Sequence, residues 1–227
     1  MFKSFDWFDF LNIARSAITT LELCFIAIVI GSALGIAVAV MSESKIRALQ
    51  AVARTYINVV RGIPLLVIIF LIYFGLPMLA GLSGLSAFAS GVAALCVYTG
   101  AYVGEVVRGG IRAVPRGQFE AASTLGMSYW LMMRTVVLPQ AVPVIVPPAI
   151  GFLIALVKDS SLVSVVGILE LTGAGRVTGS VTTDPILAFL IVAAFYFVIS
   201  FVLSRLSIWY ERRHATGKAV TERTLAR

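Results

Sequence analysis

Four consecutive residues, Lys158-Asp159-Ser160-Ser161, set an ammonium, a carboxylate and two hydroxyls directly behind an apolar run, and a second apolar run, Leu162 to Leu171, resumes at once. Asp159 can accept from a cation, and the serines can donate or accept. This is binding chemistry, suited to a polar solute in surroundings where an unpartnered charge is costly. The plain alternative is a helix end at a membrane face. Glu105, near the end of an earlier apolar run, is a weaker candidate for the same role or an ion-pair partner of Arg108 or Arg112. A third group, Glu120-Ala121-Ala122-Ser123-Thr124-Leu125-Gly126, mixes polarity in a way no buried helix tolerates, so it must meet water or another protein. No nucleophile stands beside a base. Cys24 and Cys96 are isolated in apolar runs and His214 stands alone in a basic tail, so neither a catalytic nor a metal site is expected.

The elements that carry these groups are helices in a lipid bilayer. Apolar residues make up 59% of the 227 and charged ones 13%, against roughly 45–50% and about 25% in soluble domains. Apolar runs near the ~20 residues that cross a bilayer begin around Ser16, Gly62, Ala87, Val136 and Pro185. The chain reads as an all-α membrane protein with five transmembrane helices, residues 1–227 forming one transmembrane domain with no separate catalytic lobe. The first residues read as an interfacial lead-in, with Phe2, Phe5, Trp7, Phe8 and Phe10 as headgroup anchors. They do not read as a signal peptide, because Asp6 and Asp9 precede the apolar run.

Lys and Arg collect on cytoplasmic loops. Lys45, Arg47, Arg54 and Arg61 lie between the first two spans, Arg108, Arg112, Arg116 and Arg134 between the third and fourth, and Arg212, Arg213, Lys218, Arg223 and Arg227 after the fifth. Only Lys3, Arg15, Lys158 and Arg176 fall opposite. The N-terminus is therefore expected outside and the C-terminus in the cytoplasm. The net charge of +7 is topological, and no nucleic-acid partner is expected.

Within this frame, Glu22 is expected to snorkel or pair with Arg15, and Gly31, Ala33 and Gly35 to let another helix approach. Gly109 and Gly110 are expected to weaken the third span so that the chain turns there. Pro115 then starts a short amphipathic helix, with Phe119, Ala122 and Leu125 on one face and an Arg116–Glu120 pair. Gly126 stops it in the left-handed conformation, and Ser128 caps the next helix. Pro139, Pro143, Pro147 and Pro148 predict a kinked fourth span that lines something polar. Gly173, Gly175 and Gly179 are expected to end the segment that follows.

At this level of detail the chain resembles a known family. Glu120-Ala121-Ala122, three residues, Gly126, nine residues, Val136, one residue, then Leu138-Pro139 is similar to the cytoplasmic EAA loop of permease subunits of ATP-binding-cassette (ABC) importers. RGIPLLVIIFLIYFGLP, AYVGEVVRGGIRAVPRGQFEAA and KDSSLVSVVG resemble the polar amino-acid branch of that superfamily. The resemblance implies type I ABC importer permease architecture in a prokaryotic plasma (inner) membrane. Its EAA coupling loop would be about 108–139, with Pro115, Glu120, Ala121, Ala122, Gly126 and Pro139 coupling to a cytoplasmic ATP-binding subunit pair. It also implies a second permease chain, identical or homologous, and an extracytoplasmic solute-binding protein. The chain has no phosphate-binding G-x-x-x-x-G-K-[ST] loop, so ATP and Mg would be bound by the ATPase partner, with no cofactor here. Asp159, Ser160, Ser161, Lys158 and Glu105 would lie on the substrate path. The alternative is a self-contained secondary transporter or channel, which the lack of a visible internal repeat disfavours.

Overall fold

The computed structural model describes residues 3–44, 46–80 and 84–214. Phe2, Lys45, residues 81–83 of the turn expected after the second span, and the tail with Lys218, Arg223 and Arg227 lie outside the described residues, as does the His214 side chain. The order is α1 (Trp7–Ser42), α2 (Arg47–Gly62), α3 (65–80), α4 (Ala87–Arg112), α5 (Arg116–Thr124), α6 (Tyr129–Val166), α7 (Leu171–Val181) and α8 (Pro185–His214). Among the described residues there is no strand, only an isolated bridge between Lys3 and Thr182.

Among the described residues four helices are long and apolar enough to cross a membrane, α1, α4, α6 and α8, and a fifth span exists if α2 and the helix after it count as one broken span. Their outward faces carry large apolar side chains, among them Phe25, Leu190, Phe197 and Phe201. The core joins α1, α3, α4 and α6 through Leu23, Ala27, Ile69, Leu95, Leu156 and Val163. At the α1–α4 contact, a Cβ on Gly35 would lie 2.8 Å from the Gly100 carbonyl oxygen and 2.9 Å from the Gly104 nitrogen. Only glycine permits that approach. Ala33 faces away, exposed, so it takes no part in this contact.

Several local expectations are corrected. The lead-in is already helix. Asp6 accepts from Asp9 N at 2.9 Å and Asp9 from Asp6 N at 3.1 Å, a capping box that starts α1 at Trp7. The Asp9 N–H holds the Asp6 carboxyl below its ordinary range. Glu22 and Arg15 are both exposed on α1 and no ion pair joins them. α4 runs straight through Gly109 and Gly110 to Arg112 because Gly110 is pressed against Ile145 of α6 and tertiary packing overrides its weak propensity. Gly173, Gly175 and Gly179 lie inside α7 for the same reason, Gly175 sitting against Val192 of α8.

A sharp bend also falls where none was expected. α2 and α3 meet at Ile63–Pro64 with a bend of 107°. The proline-rich α6 is instead one helical stretch of 38 residues. It absorbs the missing donor of Pro139 in a π-turn, Met133–Val137, where the Leu138 N–H reaches back to Met133 O. After Asp159 it tightens to a 3₁₀ helix, Ser160–Val166, and Gly167 (φ 91°) turns the chain back toward α7.

Candidate functional site

α4 and α6 run antiparallel: Gly110 meets Ile145 near one end, and Gly91 meets Val163 and Ile168 near the other. Asp159 therefore comes level with Tyr98, deep between the ends of the bundle, and accepts from the Tyr98 hydroxyl at 3.3 Å. That hydroxyl is its hydrogen-bond partner among the described residues. Tyr98, Tyr102 and Glu105 share a face of α4. The rings of Tyr98 and Tyr102 lie 4.6 Å apart, and Phe152 of α6 stacks on Tyr102 at 5.1 Å. Arg61 then lies over Tyr102, its guanidinium carbon 5.2 Å from the ring centre and its Nη1 3.8 Å from Glu105 Oε1. Arg108 holds both Glu105 oxygens, with Nε donating to Oε2 at 3.0 Å. The result is a column: carboxylate, aromatic layer, then guanidinium groups around Glu105.

The predicted path residues do not all join it. Asp159 and Glu105 do. Lys158 is exposed and sits at the depth of Asp159, so it does not lie at a bundle end as the charge distribution had placed it. Ser161 is half-buried. Ser160 turns into the core, fully buried, and donates to Val157 O at 2.7 Å, the local bond that a serine makes to its own helix. It does not join the column.

The loop between α4 and α6 forms a second site. Pro115 precedes α5 without donating, and Ala122 is sealed against Val114, Met132, Met133 and Val137. Gly126 has φ 71°, its N–H reaching Ser123 O at 3.0 Å, while the Met127 N–H reaches Ala122 O at 3.2 Å. Those two bonds are a Schellman motif. Ser128 caps the next turn, accepting from Leu131 N at 3.4 Å. Leu125, expected on the buried face, is 80% exposed. The glycine turn follows it at once and points it outward. Glu120 and Ala121 are exposed, and no ion pair joins Glu120 to Arg116 among the described residues. Glu43, at the end of α1, instead reaches Arg112 at 2.8 Å beside this loop.

The profile of the family described as "Binding-protein-dependent transport system inner membrane component" matches residues 31–215. The chain belongs to that family. Among relatives of this permease, the nopaline transport system permease protein of Agrobacterium fabrum is 36% identical over 211 residues, covering 88% of each chain. A probable glutamine ABC transporter permease protein of Bacillus subtilis is 40% identical over 185 residues, 82% of this chain and 85% of the relative. A solved amino acid ABC transporter with histidines superposes with a TM-score of 0.84 at 40% identity, over 92% of this chain and 99% of that one. A methionine ABC transporter in an inward-facing form has the same fold, with a TM-score of 0.70 at 22% identity.

The permease is thus a multi-pass inner-membrane transport subunit and not itself an enzyme. Membership implies an ATPase and a substrate-binding protein as partners. Sequence reasoning missed Tyr98, Tyr102 and Arg61 as part of the polar column, and Glu170, described below. Tyr98 and Tyr102 gave a signal, since two phenols one helical turn apart in a span, one turn before Glu105, mark a polar face. Arg61 gave none, because its place depends on the 107° bend.

Proposed function

We propose that this permease carries a polar amino acid, or a close relative of one, into the cytoplasm, with its N-terminus outside and its C-terminus inside. Two permease chains, identical or homologous, enclose the path. A pair of cytoplasmic ATPase subunits binds ATP and Mg, and an extracytoplasmic solute-binding protein delivers the substrate. Relatives named for nopaline and glutamine, and a solved amino acid transporter, support the solute class.

The observation that carries the reading is the Asp159 carboxylate, half-buried in the bundle with the Tyr98 phenol as its hydrogen-bond partner among the described residues. A charge so placed needs a cation, and an amino acid brings an ammonium. Asp159 receives that ammonium, Lys158 stands at the same depth for the carboxylate, and Ser161 can bond to either end. Pro115, Glu120, Ala121 and Gly126 form the surface through which ATPase closure reaches α6, Ala122 anchors that surface from beneath, and Pro139 follows the π-turn that passes the motion on. The test is uptake by the complete complex in proteoliposomes. Asp159→Asn should raise the half-saturating substrate concentration roughly ten- to a hundred-fold, the worth of one charge-assisted hydrogen bond. Basal ATPase activity should survive. Unchanged half-saturation in an intact complex would sink the assignment.

A further inference from the structure

Arg61 has a position that its role as a topological charge does not explain. It is the penultimate residue of α2, just before the 107° bend, and it is directed along α4 rather than away from it. Its neighbours are Tyr102, at 5.2 Å from ring centre to guanidinium carbon, and Glu105, at 3.8 Å. Glu105 already has both oxygens on Arg108. Arg112, the next guanidinium along, is matched by Glu43 at 2.8 Å. Arg54 and Asn58 of α2 share a cavity wall with Glu105, Arg108 and Arg112. Carboxylates here are therefore outnumbered, and Arg61 has only a shared claim on one that is bidentately bound. Its side chain remains 40% exposed, with guanidinium donors free.

We propose that Arg61 is a second, exit-side subsite, which binds the carboxylate of the solute one aromatic layer beyond Asp159. This rests on the reading of Asp159 given above. A zwitterion leaving Asp159 and Lys158 must pass Tyr98, Tyr102 and Phe152. Those rings hold nothing positive for the carboxylate. Arg61 is the next group that can hold it, and a guanidinium matches a carboxylate in a planar, bidentate way. The Tyr102 face keeps Arg61 in place before the solute arrives, and Arg108 keeps Glu105 from neutralising it. The solutes that fit carry a free carboxylate, so amines lacking one should pass poorly.

The test uses the complete complex in proteoliposomes, supplied with a carbon-13-labelled mixture of the common L-amino acids plus octopine and nopaline, with mass spectrometry of what accumulates. Arg61→Gln should lower turnover at least about ten-fold, the rate equivalent of one lost charge-assisted hydrogen bond. Half-saturation should stay within about two-fold, in contrast to the shift expected for Asp159→Asn. Arg61→Lys, which restores the point charge, should recover at least about a third of the wild-type turnover. Wild-type turnover in Arg61→Gln would overturn the proposal, as would Arg61→Lys being as slow as Arg61→Gln, or a loss that merely tracks dissociation of the complex in gel filtration. If the wild type accumulates no labelled solute, the amino-acid reading itself has failed, and this proposal with it.

Discussion

The Tyr196 hydroxyl donates to Glu170 Oε2 at 2.7 Å, joining α8 to the carboxylate that starts α7. Glu170 is fully buried, and it also accepts from Thr172 N at 3.0 Å and Gly173 N at 2.8 Å, while the Leu171 N–H goes to Thr20 of α1 at 3.1 Å. One acid thus satisfies a buried helix start and ties it to α8. Glu170→Ala leaves two amides unpartnered and the Tyr196 phenol with the Thr172 hydroxyl, 3.2 Å away, and should destabilise the permease by about 2 to 4 kcal/mol. Tyr196→Phe should cost about 1 to 2 kcal/mol. Thermal unfolding in detergent checks both. An Ala variant that melts with the wild type would show that α7 is held by packing alone.

Glycine substitutions should separate packing from propensity. Gly35→Ala drives a methyl into the backbone of Gly100 and Gly104, atoms that cannot swing aside as a side chain can. Overpacking of this kind costs about 1–3 kcal/mol. A Cβ at Gly109 meets nothing within 4 Å, so Gly109→Ala in the last turn of α4 should be neutral or stabilise by up to about 1 kcal/mol. The same melting measurement decides, and equal shifts for the two would contradict the close α1–α4 approach.

What was legible in the sequence follows from the range of the forces involved. The apolar runs mark α1, α4, α6 and α8 because the bilayer imposes a length on each. The turn at Gly126 was legible because its motif is local, closed by bonds to Ser123 and Ala122. The start of α1 is local too, since Asp6 and Asp9 are spaced as a capping box, although the aromatics around them also suit a membrane interface. The column from Asp159 to Arg61 was not legible. It joins α2, α4 and α6, and depends on the register fixed where Gly110 meets Ile145 and Gly91 meets Val163. Nor did sequence tell which hydroxyl of Ser160 and Ser161 faces the core, because that turns on the change from α to 3₁₀ geometry after Asp159.

The orientation is tested by cysteines at exposed positions near opposite ends of the bundle. Ser180 lies at the end of α7 and Ser123 in α5, beside the arginine-rich end. With a membrane-impermeant maleimide, Ser180→Cys should label in intact cells, and Ser123→Cys only once the inner face is opened. The preference of Lys and Arg for cytoplasmic loops predicts this direction. Labelling of both from one side, or in the reverse order, would overturn the proposed orientation.

The coupling loop makes a sharper prediction, because a Cβ at Gly126 has no neighbour within 4 Å in this chain while its φ of 71° is hostile to side chains. Those two facts separate the cost of folding from the cost of docking. Within the chain, Gly126→Ala meets only the backbone penalty of about 1–2 kcal/mol, and Gly126→Asn less, since Asn tolerates the left-handed region. Both variants should insert, and melting should fall by no more than that penalty. If α5 and its glycine turn form the ATPase contact, an added side chain has no room in the complex that the chain alone would have allowed. Association should then fall in the order Gly, Asn and Ala, then Asp, whose charge adds a desolvation cost at the contact. The ratio of co-purified ATPase to permease measures it, alongside uptake in proteoliposomes. Transport and ATPase retention in Gly126→Asp equal to wild type would place the contact elsewhere on the cytoplasmic face. Glu43→Gln, which frees Arg112 beside the same loop, provides the comparison: it should leave ATPase retention intact, because it touches the support of the loop and not the docking surface.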